Sequence, residues 1–265
     1  MLLSNLVPLL IRQQADFTIF VIDQDLPTTF NRGMLFNVGF LEALKIRDFD
    51  CFVFHDVDML PRHDHCFYRC SSSPKHLTSA VSKWKYGMPY AQYFGGVVAF
   101  SQEQFRRING ASNLYFGWGG EDDDLHRRII SKKYKALRYP KKIGIYDTPP
   151  HKRDSGNEGN QDRMQLLKTT SKRQDVEGLK STMYHVVARD FRPLYVWLNV
   201  FINDTEVFQK TTPEYVVPML RFSTQRKYWK LSFLLSMSEK YKSSNSTNRV
   251  SVDGQANGLL PQSSR

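Results

Sequence analysis

The sequence predicts an α/β fold with its ligand site at the carboxyl ends of the strands. Three observations carry that expectation. Thr18 to Val21 (TIFV) and Cys51 to Phe54 (CFVF) are short, continuously apolar runs bounded by polar residues, the pattern of buried strands. Between them, Asn31 to Ile46 sets Met34, Leu35, Val38, Phe40, Leu41 and Leu44 at helical spacing, so the order reads strand, helix, strand. The second run then ends in His55-Asp56-Val57-Asp58, at the place where open α/β sheets seat ligands.

The remaining elements follow in order. Gly95 to Phe100 (GGVVAF) is a third strand, and Ser101 opens a helix with a cap-like Ser-Gln-Glu-Gln start. A further helix runs from Glu121 toward Lys133, and Met183 to Ala188 and Leu194 to Ile202 are two more β segments. From Arg221 the composition shifts to ten serines, eight Lys+Arg and two Asp+Glu, and the end, SSNSTNRVSVDGQANGLLPQSSR, is expected to be disordered. There are no internal repeats.

With 265 residues, 41% hydrophobic and 13% aromatic, the chain can bury one large core or two small ones, which excludes a disulfide miniprotein and a wholly disordered chain. The net charge of +11 invites a polyanion such as nucleic acid, an anionic membrane or a phosphorylated small molecule. The segment 221–265 carries +6 of it, leaving +5 on the remainder, and no nucleic-acid fold signature accompanies the charge. No apolar run reaches the roughly 18 residues of a membrane span, and MLLSNLVPLLIRQQ lacks the basic region and cleavage site of a signal peptide. Cys51, Cys66 and Cys70 are too few for an all-cysteine zinc site; two of them can bridge, with one left over.

Three constellations carry chemistry. Alternation along a strand puts Asp56 and Asp58 on one face, where their repulsion calls for a cation; a hard divalent metal bridging to phosphate would serve, although a lone Asp-x-Asp also occurs at solvated strand ends. Tyr115-Phe-Gly-Trp118-Gly-Gly120-Glu121-Asp122-Asp123-Asp124 joins a glycine-hinged tryptophan, a stacking surface for a sugar, to four acids at a helix start. Mutual repulsion should raise the proton affinity of at least one of them, which suits a general base; the bland alternative is an acidic first turn with Trp118 in the core. The polar stretch from Tyr146 to Asn160 cannot form a core, is long enough to act as a lid, and offers His151 as a metal ligand.

Taken together, FNRGMLFNVGF (30–40), HDVD (55–58), YFGGV (93–97), GWGGEDDD (117–124) and HKRDSGN (151–157) resemble the β-1,4-galactosyltransferase family over roughly residues 5 to 205. The resemblance implies a nucleotide-sugar glycosyltransferase fold of the GT-A type, with a mixed central sheet. It implies transfer of galactose from UDP-galactose to the 4-hydroxyl of a terminal N-acetylglucosamine, with inversion and with Mn2+. On the matching positions Phe30, Asn31 and Arg32 would contact UDP, Val57 would line the nucleotide pocket, and Asp58 and His151 would ligate the metal. Trp118 would be the mobile-loop tryptophan near the donor. Gly120, Glu121, Asp122 and Asp123 would bind the acceptor, with Asp122 as base and Arg163 at the N-acetyl pocket. Tyr93 stands where family members preferring N-acetylgalactosamine carry a smaller aliphatic residue, so it implies galactose. Closure of the Trp118 loop and of Pro149 to about Thr169 would exclude water.

The same resemblance pairs Cys51 with Cys70 and leaves Cys66 free. That bridge, with the sequons at Asn203 and Asn245, implies an oxidising lumen, that of the Golgi, and acceptors on glycoprotein or glycolipid rather than nucleic acid. It divides the chain into a catalytic domain, 1–210, and a basic, serine-rich extension, 211–265. Relative to the family, the sequence starts after the signal anchor and the strand with its Pro-Phe-Arg loop, so an unpaired sheet edge is expected, and the Golgi membrane would be reached only through an anchor outside this sequence. Thr148 stands where the family has a metal-ligating methionine, so an altered metal site is expected. These departures leave a second class open, a weak or inactive relative that binds sugar or UDP.

Overall fold

Leu6, Leu9 and Leu10 recur at helical spacing and are buried together, which makes the opening segment an amphipathic helix, α1 (Leu2–Arg12), that the sequence reading had not assigned. The chain, a computed structural model, is described for residues 1–150 and 156–220. His151 to Ser155 and the basic stretch from 221, including the segment expected to be disordered and the Asn245 sequon, lie outside the described residues.

After α1 come β1 (Phe20–Gln24), α2 (Arg32–Leu44), β2 (Cys51–His55), β3 (Leu60–Pro61), β4 (Lys75–His76), β5 (Ala80–Val81) and β6 (Val97–Ser101). They are followed by α3 (Gln102–Arg107), α4 (Glu121–Ser131), β7 (Leu137–Arg138), β8 (Ile145–Asp147), α5 (Arg163–Arg173), β9 (His185–Phe191), β10 (Val196–Phe201) and α6 (Asp204–Thr211). Val216 and Leu220 are still buried beyond α6.

The mixed strand directions are those expected of the fold, distributed over three small sheets instead of one. Their orders are β1-β10-β9, β2-β6-β4-β7 and β3-β8-β5, and each contains parallel and antiparallel pairs. Among the described residues β1 and β2 are both edge strands. β1 lies two to three residues further along than its apolar run because backbone pairing with β10, Phe20 on Val196 through Gln24 on Val200, carries the strand through polar Asp23 and Gln24. The β2 strand stops at His55, so Asp56 and Asp58 belong to the turn that follows and strand alternation does not place them.

α2 bridges the two edge strands. A side chain at Gly39 would stand 3.2 Å from Ile22 of β1, so the missing Cβ lets helix and strand approach closely. On the other side Phe36 stacks on Phe54 at 4.7 Å and Phe40 meets Phe52 at 4.4 Å and Phe105 at 4.9 Å. These rings, with Phe94 and Phe100, form one buried aromatic cluster. Burying each such ring contributes about 2–3 kcal/mol, so the cluster anchors α2 and thereby the residues at its start. The helix ends are set locally: Asn31 Oδ1 accepts from Met34 N at 3.0 Å, and Ser101 with Gln104 forms the expected capping box.

Cys51 and Cys70 are bridged and Cys66 is free and buried, as the resemblance implied. With a sequence separation of 19, replacing the pair by serines should lower unfolding stability by about 3 kcal/mol in a urea titration. Burial pushes the Cys66 thiol up to about 11, so the native protein should show no reactive thiol to a disulfide reagent at pH 8 and the unfolded protein one.

Candidate active site

Three chain segments, the start of α2, the turn after β2 and the start of α4, meet at Arg32. Its Nε donates to Asp56 Oδ1 at 2.6 Å, Nη1 lies 3.7 Å from Glu121 Oε1, and the guanidinium sits 4.5 Å from the Phe36 ring centroid. Burial alone would favour its neutral form, but the charges of Asp56 and Glu121 outweigh that and raise its pKa. Two polar atoms of this cluster, Arg32 Nη2 and Glu121 Oε2, are buried with no hydrogen-bond partner among the described residues. Such atoms are costly unless a ligand satisfies them, and a guanidinium N–H suits a phosphate oxygen.

The acidic run divides into two parts. Burial, then the neighbouring charges of Glu121 and Asp123, push the Asp122 carboxyl up to about 7; burial also raises Glu121 against the pull of Arg32. Asp123 accepts from the Tyr90 hydroxyl at 2.9 Å, a contact the sequence reading missed although Tyr90 and Tyr93 share the motif PYAQY. Asp124 faces the opposite way. It is fully buried, takes Arg128 Nε at 2.7 Å, Tyr115 at 3.0 Å and Thr170 at 2.8 Å, and is paired with Arg173; burial is overcome by the two arginines and its pKa falls. Glu177 closes the ring on Arg128, at 2.7 Å, and on Arg173. This buried square of two arginines and two acids joins α4 to α5 and fixes the first turn of α4.

The loop before α4 is pinned by backbone. Gly117, Gly119 and Gly120 all have φ near +90°, open to glycine at little strain, and a side chain at Gly117 would collide with the Glu158 carbonyl. Gly117 N donates to Phe30 O at 2.8 Å, Trp118 N to Glu158 O at 2.7 Å, and Asn160 N to Trp118 O at 2.9 Å. The Trp118 side chain is 53% exposed, which removes the core alternative for it. Phe30 N is held by Gly156 O at 3.0 Å, so the Phe30, Trp118 and 156–160 segments are tied together through their backbones.

Other sequence-predicted residues fare differently. Asn31 is fully buried, and besides capping α2 its Nδ2 donates to Asn113 O at 2.7 Å, so its side chain helps to position the start of α2. Val57 is strongly exposed beside Asp58, which sits half-buried in the turn. The Tyr93 ring packs against Trp84 and Tyr90, and a side chain at Gly95 would strike it. Burial, then the charges of Asp56 and Asp122, raise the Tyr93 pKa, so its hydroxyl lies within the field of both carboxylates.

Arg163 is exposed at the start of α5, against Gly119 and Gly120. The segment expected as a lid, Pro149 to about Thr169, ends in helix from Arg163, with Leu166, Leu167 and Thr169 buried. Thr148 Oγ1 donates to Met59 Sδ at 3.6 Å, which engages the hydroxyl proposed as a metal ligand. Among the described residues no three His, Cys, Asp or Glu side chains gather around a common point, and His151 lies outside them. Asn203 caps α6 through Glu206 N at 3.1 Å, and Thr205 of its sequon is buried.

Comparison with known proteins bears on this arrangement. Residues 1–71 match the N-terminal region of glycosyl transferase group 7, and residues 75–152 match the N-terminal domain of galactosyltransferase. Human beta-1,4-galactosyltransferase 4 is 47% identical over 199 residues, covering 75% of this chain and 58% of its own. The chain belongs to the β-1,4-galactosyltransferase family. A family relative from the snail Lymnaea stagnalis, a beta-N-acetyl-D-glucosaminide beta-1,4-N-acetylglucosaminyl-transferase, is 43% identical over 80% of this chain and 54% of its own. The chain thus spans about half the length of the curated relatives it matches. A mutant Drosophila beta-1,4-galactosyltransferase 7, solved with manganese, UDP-Gal and xylobiose, superposes with a TM-score of 0.64 at 29% identity, covering 76% of this chain and 87% of that one. The fold is therefore the GT-A type expected from the sequence.

The two halves of the acidic run predict opposite stability effects. Asp124→Asn breaks the buried square and should cost about 3–5 kcal/mol in a denaturant titration. Asp122 is raised from 3.8 to about 7 on folding, so the stability associated with its protonated form is complete below pH 4 and lost as pH rises through 7. Asp122→Asn should therefore unfold no more easily than the unaltered chain at pH 8, with its advantage shrinking as the pH falls toward 5.

Proposed function

We propose that this chain transfers galactose from UDP-galactose to the 4-hydroxyl of a terminal N-acetylglucosamine, with inversion at the anomeric carbon. The observation that carries the reading is Asp122, a carboxyl held near neutrality at a helix start beside the exposed Trp118 and within the charge cluster of Arg32, Asp56 and Glu121. A base with a pKa near the working pH combines the right protonation state with sufficient driving force.

Asp122 draws the proton from the acceptor hydroxyl as its oxygen bonds to the anomeric carbon and the bond from that carbon to UDP breaks. No covalent enzyme intermediate is needed, so one base suffices. Arg32 turns its unpartnered Nη2 toward the nucleotide, while Glu121, Asp123 and Arg163 orient the acceptor around Gly120. Trp118 offers an apolar face to the sugars and shields the donor from water. Asp58 and His151 would hold Mn2+, a hard ion suited to carboxylate and imidazole, with Thr148 a weaker contributor than the methionine usual at its place. Bound there, the ion would neutralise charge on the departing diphosphate. Tyr93 crowds the donor's 2-substituent and favours galactose over N-acetylated donors.

Residues 1–210 would be the catalytic part and 211–265 an extension. The Cys51–Cys70 bridge suits an oxidising compartment, in keeping with a Golgi lumen, where the acceptors would be glycans on glycoprotein or glycolipid.

Radiolabel transfer to free N-acetylglucosamine tests this directly, with UDP-galactose and UDP-N-acetylglucosamine as alternative donors. Transfer should require Mn2+, stop with a chelator, favour UDP-galactose and fall about 10³-fold in Asp122→Asn. The rate should rise with pH through about 7 as Asp122 ionises. UDP binding without any metal-dependent transfer would replace this reading with that of a binding module.

A further inference from the structure

His55 is the last residue of β2 and the first of four side chains joined end to end. Its Nδ1 lies 2.8 Å from the Asp56 carbonyl, which can only accept, so Nδ1 carries the proton and Nε2 is the acceptor. The Tyr68 hydroxyl, 2.9 Å from Nε2, therefore donates to it. Tyr146 donates in turn to Tyr68 at 3.2 Å, and Cys66 Sγ lies 3.5 Å from the Tyr146 hydroxyl and 3.9 Å from the Leu77 carbonyl, either of which can accept its S–H. The chain has a single direction, since reversing one member would set two donors or two acceptors face to face in a buried space.

Burial keeps every member neutral. It lowers the His55 pKa, against a smaller upward pull from Asp56 and Asp58, and raises the two phenols and the thiol. Tyr68 and Cys66 lie within the loop closed by Cys51–Cys70, which limits how far they can drift. The chain's ends matter most. His55 grips the carbonyl at the start of the turn that carries Asp58, and Tyr146 belongs to β8, two residues before Thr148 and five before His151. β2 and β8 are in different sheets, so no ladder pairs them.

We propose that His55 is a positioning residue which, through Tyr68 and Tyr146, sets the Asp56–Asp58 turn at a fixed distance from the end of β8, so that metal and diphosphate are bound without rearrangement. The inference rests on the nucleotide-sugar reading of the site and gives His55 a task that the resemblance did not assign. Simple packing is the competing role, because the His55 and Tyr68 rings also stack at 5.8 Å.

Phenylalanine separates the two roles, since it keeps the ring and removes the hydrogen bonds. Calorimetric titration of UDP with Mn2+ into the full chain should show His55→Phe weakened about tenfold and Tyr68→Phe about threefold, the scale of one or two lost hydrogen bonds. His55→Asn, whose amide nitrogen can replace Nδ1 as donor to Asp56 but leaves Tyr68 without its acceptor, should recover the loss to about the level of Tyr68→Phe. In transfer assays the KM for UDP-galactose should rise in His55→Phe with kcat within about twofold. Unaltered affinity in His55→Phe would overturn the proposal, as would a loss that follows a lowered melting temperature and is not recovered by asparagine. Failure of the unaltered chain to bind UDP with Mn2+ would instead reject the functional reading beneath it.

Discussion

Arg32 lies where α2, the turn after β2 and the start of α4 converge, and its charge is what allows their carboxylates to occupy one poorly solvated space. Asp56 is held at 2.6 Å and Glu121 at 3.7 Å, while Asp58, Asp122 and Asp123 add further negative charge nearby. One guanidinium cannot balance so many acids. Burial, with the neighbouring acids adding to it, raises the pKa values of Asp122 and Glu121. Removing Arg32 would leave Asp56 and Glu121 unpaired together, so the geometry of the whole site depends on it.

Asp122 and Asp124 show how one helical turn separates function from scaffold. They are two residues apart, which on a helix points them about 200° apart. Asp124 enters the square with Arg128, Arg173 and Glu177 and is held ionised; Asp122, half-buried beside Glu121 and Asp123, is held near neutrality. The square is rigid because every member has at least two partners, and that rigidity lets the Asp122 carboxyl stay in a costly environment. The aromatic cluster does the same for α2 and hence for Arg32.

Much of this was legible from residue pattern. The apolar spacing of α2, the capping box at Ser101, a carboxyl of raised proton affinity among the four acids 121–124 and the glycine-flanked position of Trp118 all follow from local rules. What escaped was set by tertiary contact. α5 has few apolar residues and reads as loop, yet Thr169, Thr170 and Arg173 are buried because ionic and hydroxyl partners satisfy them. Asn31 sits in a shared motif, and its side chain also caps α2 and donates to the Asn113 carbonyl, a partner 82 positions away. Asp56 is answered by Arg32 from within the chain, so only part of the repulsion read from Asp-x-Asp remains for a metal. The overall charge of +11 proved a poor guide, since the site itself is dominated by acids.

The central claim is that the space around Arg32 is a nucleotide-sugar site with Asp122 as its base. A crystal structure of the unaltered chain with Mn2+, UDP and N-acetylglucosamine tests it most directly. The expected result is the diphosphate between Asp58 and Arg32, with the sugar's 4-hydroxyl about 3 Å from an Asp122 oxygen. A sugar seated with that hydroxyl away from Asp122, or UDP bound outside the cluster, would contradict it.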